Sequence, residues 1–415
     1  MKQSKNVQFR IIVLAILCAM LAYVGINRVW ESIVVYEYWA WDFNLRRNEI
    51  ACAHDGIDPL DIFDRKITSE KYCGFFRPDK PLESNNGRKY VHSYPAWHTA
   101  LFWWYGFVSQ RACTAIMMSL YVCALIWTCI WTKKRLFKSD TKDYIVNILF
   151  ILTMTLYSLG GICWTMNYGL LLLGCILLLY TALEYKQDIL AGILYSLIMI
   201  KPQIGILLFF PLFFNRKYKT IAAAVIICVL ETLFTSFKLG KSPFALILQI
   251  PQIGAPFSKG IFADKIICVI GPLGQYVYMS FFILLTIVGC FLVRNAKEAW
   301  VRFLPALAFV PFWTYSQYHD WLVTLPCYIY ILNSKNKYPR LYDFCFFCAI
   351  LWGIVTFAYA MQWYSLGRQG ISVLLHLAIL FSCCLMVIFD MDDIDKYRSI
   401  ISSKFSFLKK TEKQL

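Results

Sequence analysis

The sequence has few charged residues and lacks any long stretch in which polar and apolar residues alternate. Charged residues make up 16% of the 415 positions, and acids are the scarcer kind, with 25 against 41 lysines and arginines. The missing alternation argues against a transmembrane barrel, and no internal repeat suggests an inverted-repeat transporter. Hydrophobic residues reach 59%, and the mean hydropathy is +0.55. We therefore predict an all-α polytopic membrane protein forming a single integral-membrane domain over 1–415.

Histidine is also rare, with five residues scattered along the chain. Because metal sites need clustered ligands, we expect no metal site and no cofactor, although the use of a divalent ion stays open. Most of the 16 cysteines fall in apolar segments, where they behave as small hydrophobes. Cys52 and Cys73 instead lie in a polar loop. They form a disulfide if that loop is extracytoplasmic and oxidised, or remain two thiols.

The excess of basic residues gives a net charge of +16, but its pattern indicates a membrane rather than nucleic acid as the partner. Basic residues cluster between apolar segments, at 133–135, 216–217, 335–340 and 409–410. Cytoplasmic loops of membrane proteins are enriched in lysine and arginine. We therefore predict a multi-pass protein of the cell membrane with these clusters and both termini in the cytoplasm.

About 12 apolar segments follow one another along the chain. The first, at 11–30, follows a basic start but has no evident cleavage site, so we predict an uncleaved span. An acid-rich extracytoplasmic loop is predicted over 31–96, further membrane segments over 97–389, and a basic cytoplasmic tail over 390–415. The later spans are predicted at 112–131, 144–160, 165–183, 220–237, 273–293, 300–315, 321–333, 341–361 and 370–389, with two short arms between 189 and 211.

Those two arms flank Lys201-Pro202-Gln203, a charged residue and a helix breaker inside an apolar run. A lysine within hydrocarbon is costly unless it faces a cavity or a partner. Each arm has about 11 or 12 residues, about 18 Å of helix, which is too short for a membrane core of ~30 Å. We predict a short helical hairpin with its apex at Lys201. The alternative is one span in which Lys201 is buried against a carboxylate.

With this topology, four polar regions from distant parts of the chain fall on the outer side of the membrane. Irregular backbone at membrane depth is tolerated where it lines a cavity or packs against protein, so we expect an outer-face cleft. The regions are the start of the first loop, two later turns and the hairpin apex, with Asp42, Asn167, Lys201, Gln203, His319 and Asp320.

These groups suit transfer of a glycosyl unit from a phosphate leaving group. A carboxylate can act as general base on an acceptor hydroxyl, while cations stabilise the charge on the departing phosphate. We predict Asp42 as the base, with His319 as a second catalytic residue. The predicted phosphate-binding residues are Lys201, Arg46 and Arg368, and the predicted substrate contacts are Gln203, Asn167, Tyr94, Trp41 and Asp320.

Three of these residues also have a purely structural interpretation. Asp42 can be a helix cap or a solvated loop acid, and His319 can be an interfacial histidine bonded to a backbone carbonyl. Asn167 can serve only as a turn or cap residue.

At these positions the chain resembles the integral-membrane GT-C glycosyltransferases, and most closely glycosyltransferase family 87. The resemblance runs from about residue 30 to 330. It departs from the family pattern at Trp164-Thr165-Met166-Asn167, where Gly-Gln-x-Asn is common. The matching motifs are Asp42 with Gly56-Ile57-Asp58-Pro59, Tyr94-Pro95, Lys201-Pro202-Gln203, and the turn Ser316 to His319 before Leu325-Pro326.

The resemblance implies a GT-C-like bundle with short or re-entrant helices and an inverting hexosyl transfer, with mannose favoured. The donor is expected to be a polyprenyl-phosphate sugar, and the acceptor a glycolipid or glycan. Within the family pattern Asp42 is the base, Lys201 the cation of the Lys-Pro motif and His319 the turn histidine. The alternatives are a lipid or solute transporter or flippase, and another envelope-polysaccharide enzyme that uses lipid-linked donors.

Overall fold

The computed structural model describes residues 2–35, 41–59, 94–136, 141–254, 274–314, 318–361 and 369–391. Regular structure in these ranges is helical throughout, without strands, so the predicted all-α class is confirmed. Most of the predicted first loop lies outside the described residues, and so do Arg368 and Cys73.

The first part of the chain builds the helices that carry most of the predicted site. Three of them, α1, α4 and α5, are long enough to cross a membrane, and the others are shorter. Their bounds are α1 Lys2–Trp30, α2 Trp41–His54, α3 Ala96–Leu101, α4 Gln110–Leu136, α5 Thr141–Thr165, α6 Gly169–Glu184, α7 Asp188–Ile198 and α8 Pro202–Phe214.

The second part of the chain also contains both long and short helices. Short 3-10 turns precede two of its helices, Ala299–Phe303 before α12 and Asp320–Thr324 before α13. The helices are α9 Tyr218–Leu239, α10 Pro243–Gly254, α11 Gly274–Leu292, α12 Leu304–Trp313, α13 Leu325–Asn333, α14 Pro339–Ala360 and α15 Gln369–Phe389.

Every predicted membrane segment has a helix at its position. Within the described part of the chain, six helices are long and apolar enough to cross a membrane, namely α1, α4, α5, α9, α14 and α15, and shorter apolar helices take the other places. The chain is therefore a polytopic membrane protein. Two stretches outside the predicted spans contain helices, α2 in the predicted first loop and α10 in the proline-rich connection between the predicted spans 220–237 and 273–293.

Helices α7 and α8 form the predicted hairpin. Asp188 at the start of α7 pairs with Lys217 just after α8, with 3.2 Å between Oδ1 and Nζ. The Tyr195 hydroxyl on α7 donates to the carbonyl of Gly205 on α8 at 3.0 Å. The two short helices therefore run antiparallel, with residues 199–201 at the apex, and the hairpin prediction is confirmed.

Ion pairs gather at the other end of the bundle, away from the apex. Arg135 at the end of α4 contacts Glu184 at 2.9 Å and Glu298 at 2.8 Å. Arg10 near the start of α1 reaches Asp343 at the start of α14, with 2.7 Å between Nη2 and Oδ1. We call this the basic end, and the opposite end, with the hairpin apex and the start of α2, the site end.

Close packing of α1 against α5 aligns two arms of the site. A Cβ atom added to Gly160 on α5 would lie 2.7 Å from the Cα of Gly25 on α1, so both positions need glycine. Small residues let membrane helices approach closely in this way. Helix α1 leads toward Asp42 and α5 leads into Asn167, so this contact brings the two residues to the same end.

Candidate active site

The first turns of α2 place an acid and a cation on one face. Asp42, Arg46 and Glu49 are spaced at i, i+4 and i+7, which brings their side chains together on a helix. Arg46 lies 3.5 Å from Asp42 and 2.6 Å from Glu49, and its guanidinium sits 4.9 Å from the centre of the Tyr94 ring. Arg46 is almost fully buried, whereas the Asp42 side chain stays 14% exposed. Asp42 is therefore the accessible member of this group.

Asn167 lies in the turn between α5 and α6 and bridges two parts of the site. Its Nδ2 donates to Oδ2 of Asp42 at 2.5 Å. Its Oδ1 accepts from the Lys201 ammonium at 2.6 Å and from the backbone N–H of Gly169 at 3.2 Å. These bonds fix which end of the amide faces each partner. A single side chain thus links the carboxylate to the ammonium.

The turn that carries Asn167 is held from α4. The Tyr121 hydroxyl lies within hydrogen-bond distance of the carbonyls of Met166, at 2.9 Å, and Asn167, at 2.8 Å. Met166 has a left-handed φ of 51°, which is unfavourable for a side chain of this kind. The Tyr121 hydroxyl stabilises this turn because it offers a donor to carbonyls that have no helical partner after the end of α5.

The hairpin apex that carries Lys201 is held by two tryptophans. Trp97 donates its indole N–H to the carbonyl of Met199 at 2.8 Å, and Trp313 donates to the carbonyl of Gln203 at 2.6 Å. The Lys201 side chain is 4% exposed. The apex is therefore fixed against α3 and α12, and the ammonium has little freedom.

Lys201 also forms a buried ion pair with Asp320, at the start of the 3-10 turn before α13. The alternative interpretation of Lys201, burial against a carboxylate, is thus correct for the side chain although the backbone is a hairpin. His319 lies beside this pair, with 3.8 Å between its Nε2 and the Asp320 Oδ1. Burial lowers the pKa of His319 to about 4, so its imidazole is neutral at physiological pH.

The backbone of that histidine turn packs tightly on α6. A Cβ atom added to Gly169 would lie 2.5 Å from the carbonyl oxygen of His319, so the close approach requires glycine here. The neighbouring Tyr318 carbonyl accepts a hydrogen bond from Ser158 on α5 at 2.6 Å. Both contacts hold the turn against the helices on either side of Asn167.

The structure thus brings most of the predicted site residues together. Asp42, Asn167, Lys201, Asp320 and His319 form one cluster, although their roles stay predictions. The cleft predicted above them also remains a prediction. The other predicted residues are Arg46 and Tyr94 beside Asp42, Gln203 half-buried on α8, Trp41 at the first position of α2 with its side chain outside the described set, and Arg368 outside the described residues.

The described residues of the cluster carry one more negative charge than positive charge. Arg46 and Lys201 supply two cations, and Asp42, Glu49 and Asp320 supply three carboxylates. A bound phosphate would therefore compete with Asp320 for the ammonium, or draw on cations outside the described ranges. The net charge of the occupied site therefore depends on the charge of the bound substrate.

In the part of the chain that the structure describes, no group of three His, Cys, Asp or Glu side chains has the geometry to hold a metal ion. Metal dependence of the reaction stays a prediction. Cys52 is buried in α2, and the proposed disulfide with Cys73 lies outside the described residues.

Several residues that shape the site were not predicted. Tyr121 and the two tryptophans act through backbone carbonyls, and the sequence carries no signal for such contacts. Glu49 could have been found, because it follows Arg46 by three positions on a helical face. Asp58, named only as a family motif, is buried and pairs with Lys241 at 2.5 Å, which fastens the end of α2 to the connection before α10.

Loss of the Tyr121 hydroxyl should loosen the Asn167 turn. Tyr121→Phe is expected to destabilise the protein by about 1–2 kcal/mol, because two buried carbonyls lose their donor. The kcat should fall with it, as Asn167 orients Asp42. The matched control is Tyr180→Phe, since the buried Tyr180 hydroxyl has no hydrogen-bond partner among the described residues. Thermal unfolding and steady-state kinetics check this, and equal effects of both variants would contradict it.

Residues 92–247 match the family model described as Glycosyltransferase family 87. The matched region runs from just before α3 into α10, and it contains Asn167 and Lys201 but neither Asp42 nor His319. No curated protein and no solved structure matches the chain. The family match favours sugar transfer over the transporter and flippase alternatives.

Proposed function

We propose that this membrane glycosyltransferase of the family 87 type transfers a hexosyl unit, mannose favoured, from a polyprenyl-phosphate sugar to a glycolipid or glycan acceptor. The observation that supports this most directly is the shared amide of Asn167. It holds the Asp42 carboxylate at one end and the Lys201 ammonium at the other. A base for the acceptor and a cation near the leaving group are the two needs of this reaction.

Asp42 is proposed to act as the general base. Its Oδ1 and Oδ2 are oriented by Arg46 and Asn167, yet the side chain retains exposure toward an incoming hydroxyl. The acceptor oxygen forms a bond to the anomeric carbon while the bond from that carbon to the phosphate oxygen breaks. The hydroxyl proton passes to Asp42, and polyprenyl phosphate leaves with the bonding electrons. One such displacement inverts the anomeric centre.

The leaving phosphate is proposed to meet Lys201, with Arg46 and Arg368 as further cations. Lys201 can supply this charge if a phosphate oxygen replaces the Asp320 carboxylate as its partner. His319 is neutral and therefore acts as a hydrogen-bonding group rather than as a cation. Asp320, Gln203, Asn167, Tyr94 and Trp41 are the proposed contacts to the sugar and acceptor.

The site end is proposed to face the extracytoplasmic side. Basic residues are concentrated at the other end, around Arg135, Lys217 and Lys335, and the positive-inside rule assigns such an end to the cytoplasm. Both ends of the described chain also lie there, since Arg10 meets Asp343 and Lys337 meets Asp390.

The proposed reaction can be tested with the purified protein in detergent. We expect transfer from polyprenyl-phosphate mannose to a glycolipid acceptor, without a nucleotide sugar, and with inversion detected in the product by NMR. Parallel assays with polyprenyl-phosphate glucose and with a chelator address sugar choice and metal dependence. Transfer only from a nucleotide sugar, or a retained anomeric configuration, would contradict the proposal.

The orientation can be tested on the two ends of α4. In a background without reactive cysteines, Ser109→Cys at the site end should react with a membrane-impermeant maleimide added to intact cells. Lys134→Cys near the end of α4 should react only after the membrane is opened, because it lies at the basic end. Both positions are exposed, so access to the reagent rather than burial decides the result. The reverse labelling pattern would place the site in the cytoplasm.

A further inference from the structure

A polar recess lies at the basic end of the bundle, opposite to the site end. It forms where the ends of α6 and α8 meet the 3-10 turn Ala299–Phe303, and it is open to solvent on one side. Its lining combines polar and apolar side chains, Asn215, Lys217 and Arg302 with Leu183, Leu212 and Phe303. The recess therefore offers cations directly beside apolar side chains.

Arg302 is the central polar group of the recess. Its Nε donates to the carbonyl of Ala296 at 2.7 Å, and its Nη1 donates to Oδ1 of Asn215 at 3.0 Å. Both acceptors are neutral, and among the described residues no carboxylate pairs with Arg302. A half-buried guanidinium with a neutral coordination sphere keeps its full positive charge and has donors to spare.

The second cation of the recess is only partly compensated. Lys217 lies 3.2 Å from Asp188, and both side chains remain partly exposed to solvent. The nearby acids Glu184 and Glu298 are both held by Arg135. Among these described charges Arg302 is therefore the cation that has no carboxylate partner. Partial burial of an unpaired charge costs free energy, and a bound anion would reduce that cost.

We propose that this recess binds the phosphate group of an anionic ligand, with Arg302 and Lys217 as its cations and the apolar lining against the rest of the molecule. A guanidinium suits phosphate because its fork of N–H groups can donate two parallel hydrogen bonds. An anionic lipid headgroup meets this chemistry best, since the recess lies at the end of membrane helices. The site is separate from the sugar-transfer cluster and does not depend on the function proposed for it.

Thermal unfolding of the purified full-length protein in an uncharged detergent measures this binding. The probes are dioctanoyl phosphatidic acid, dioctanoyl phosphatidylcholine and inorganic phosphate. We expect saturable stabilisation by phosphatidic acid and a much weaker effect of phosphatidylcholine. Arg302→Gln should raise the apparent Kd about tenfold, the loss expected for one hydrogen bond to a charged group. Arg294→Gln, which removes the same charge beside α11 but outside the recess, should change it less than about twofold.

Ala299→Leu provides a second variant that alters no charge. It fills the recess, so it should weaken binding even if Arg302→Gln fails to fold. Stabilisation by inorganic phosphate with the same dependence on Arg302 would identify free phosphate, rather than a lipid, as the carrier of the phosphate group. The proposal is overturned if neither phosphatidic acid nor inorganic phosphate binds. It is also overturned if binding is equal in the wild type, Arg302→Gln and Ala299→Leu.

Discussion

Asp42→Asn is expected to lower kcat about 1,000-fold while the protein remains folded and inserted in the membrane. General-base catalysis contributes about 100- to 10,000-fold to such reactions, and an amide cannot accept the acceptor's proton. The change preserves shape, and the oxygen of the introduced amide can still accept a hydrogen bond from Asn167. Steady-state kinetics with a polyprenyl-phosphate sugar, together with thermal unfolding, separate loss of chemistry from loss of structure.

The control for this variant lies close by in the chain. Asp55→Asn removes one negative charge from an exposed position just after α2, so it should leave kcat within about twofold of the wild type. Asp42→Glu keeps the carboxylate but moves it by one methylene and should recover only part of the rate. Full activity of Asp42→Asn would remove Asp42 as the base.

Lys201→Met is expected to produce the largest combined loss of stability and activity. The substitution leaves Asp320 as a buried carboxylate without its ammonium, and breaking a buried ion pair in this way costs about 3–5 kcal/mol. The Asn167 amide also loses the ammonium that donates to its Oδ1. Unfolding in detergent should therefore shift to clearly lower temperature.

A double variant distinguishes structure from catalysis at the same site. Lys201→Met combined with Asp320→Asn removes both charges, so it should recover much of the lost stability. If Lys201 also meets the leaving phosphate, the double variant should remain slow, with a raised KM for the donor and a lowered kcat. Recovery of activity together with stability would show that Lys201 only positions its neighbours.

These two experiments test different halves of the proposed mechanism. In that mechanism Asp42 would act on the acceptor, so its loss should affect kcat with little change in the KM of the donor. Lys201 would act on the leaving group, so its loss should change both constants for the donor. Asn167 forms hydrogen bonds with both Asp42 and Lys201. Because the two residues share this partner, we expect that the effects of the two variants are not additive.

The helical hairpin illustrates what could be predicted from sequence. Two short apolar arms around a lysine and a proline set the lengths of α7 and α8, and the basic flanks put both outer ends together. The convergence of Asp42, Asn167 and Lys201 was predicted from the order of the spans, which places all three residues on the same side of the membrane. Helix α2 was missed because its sequence is mostly polar, and the apolar helix α10 was missed because its prolines indicate a loop.

The sequence by itself determined where most of the apolar helices lie along the chain, because that depends on local hydrophobicity and on helix breaks within a few residues. Only the tertiary structure decided the partners of the polar side chains. Lys201 meets Asp320 across 119 positions and Asn167 meets Asp42 across 125. Such contacts depend on how each helix is rotated and packed against its neighbours, which is the outcome of many apolar contacts together.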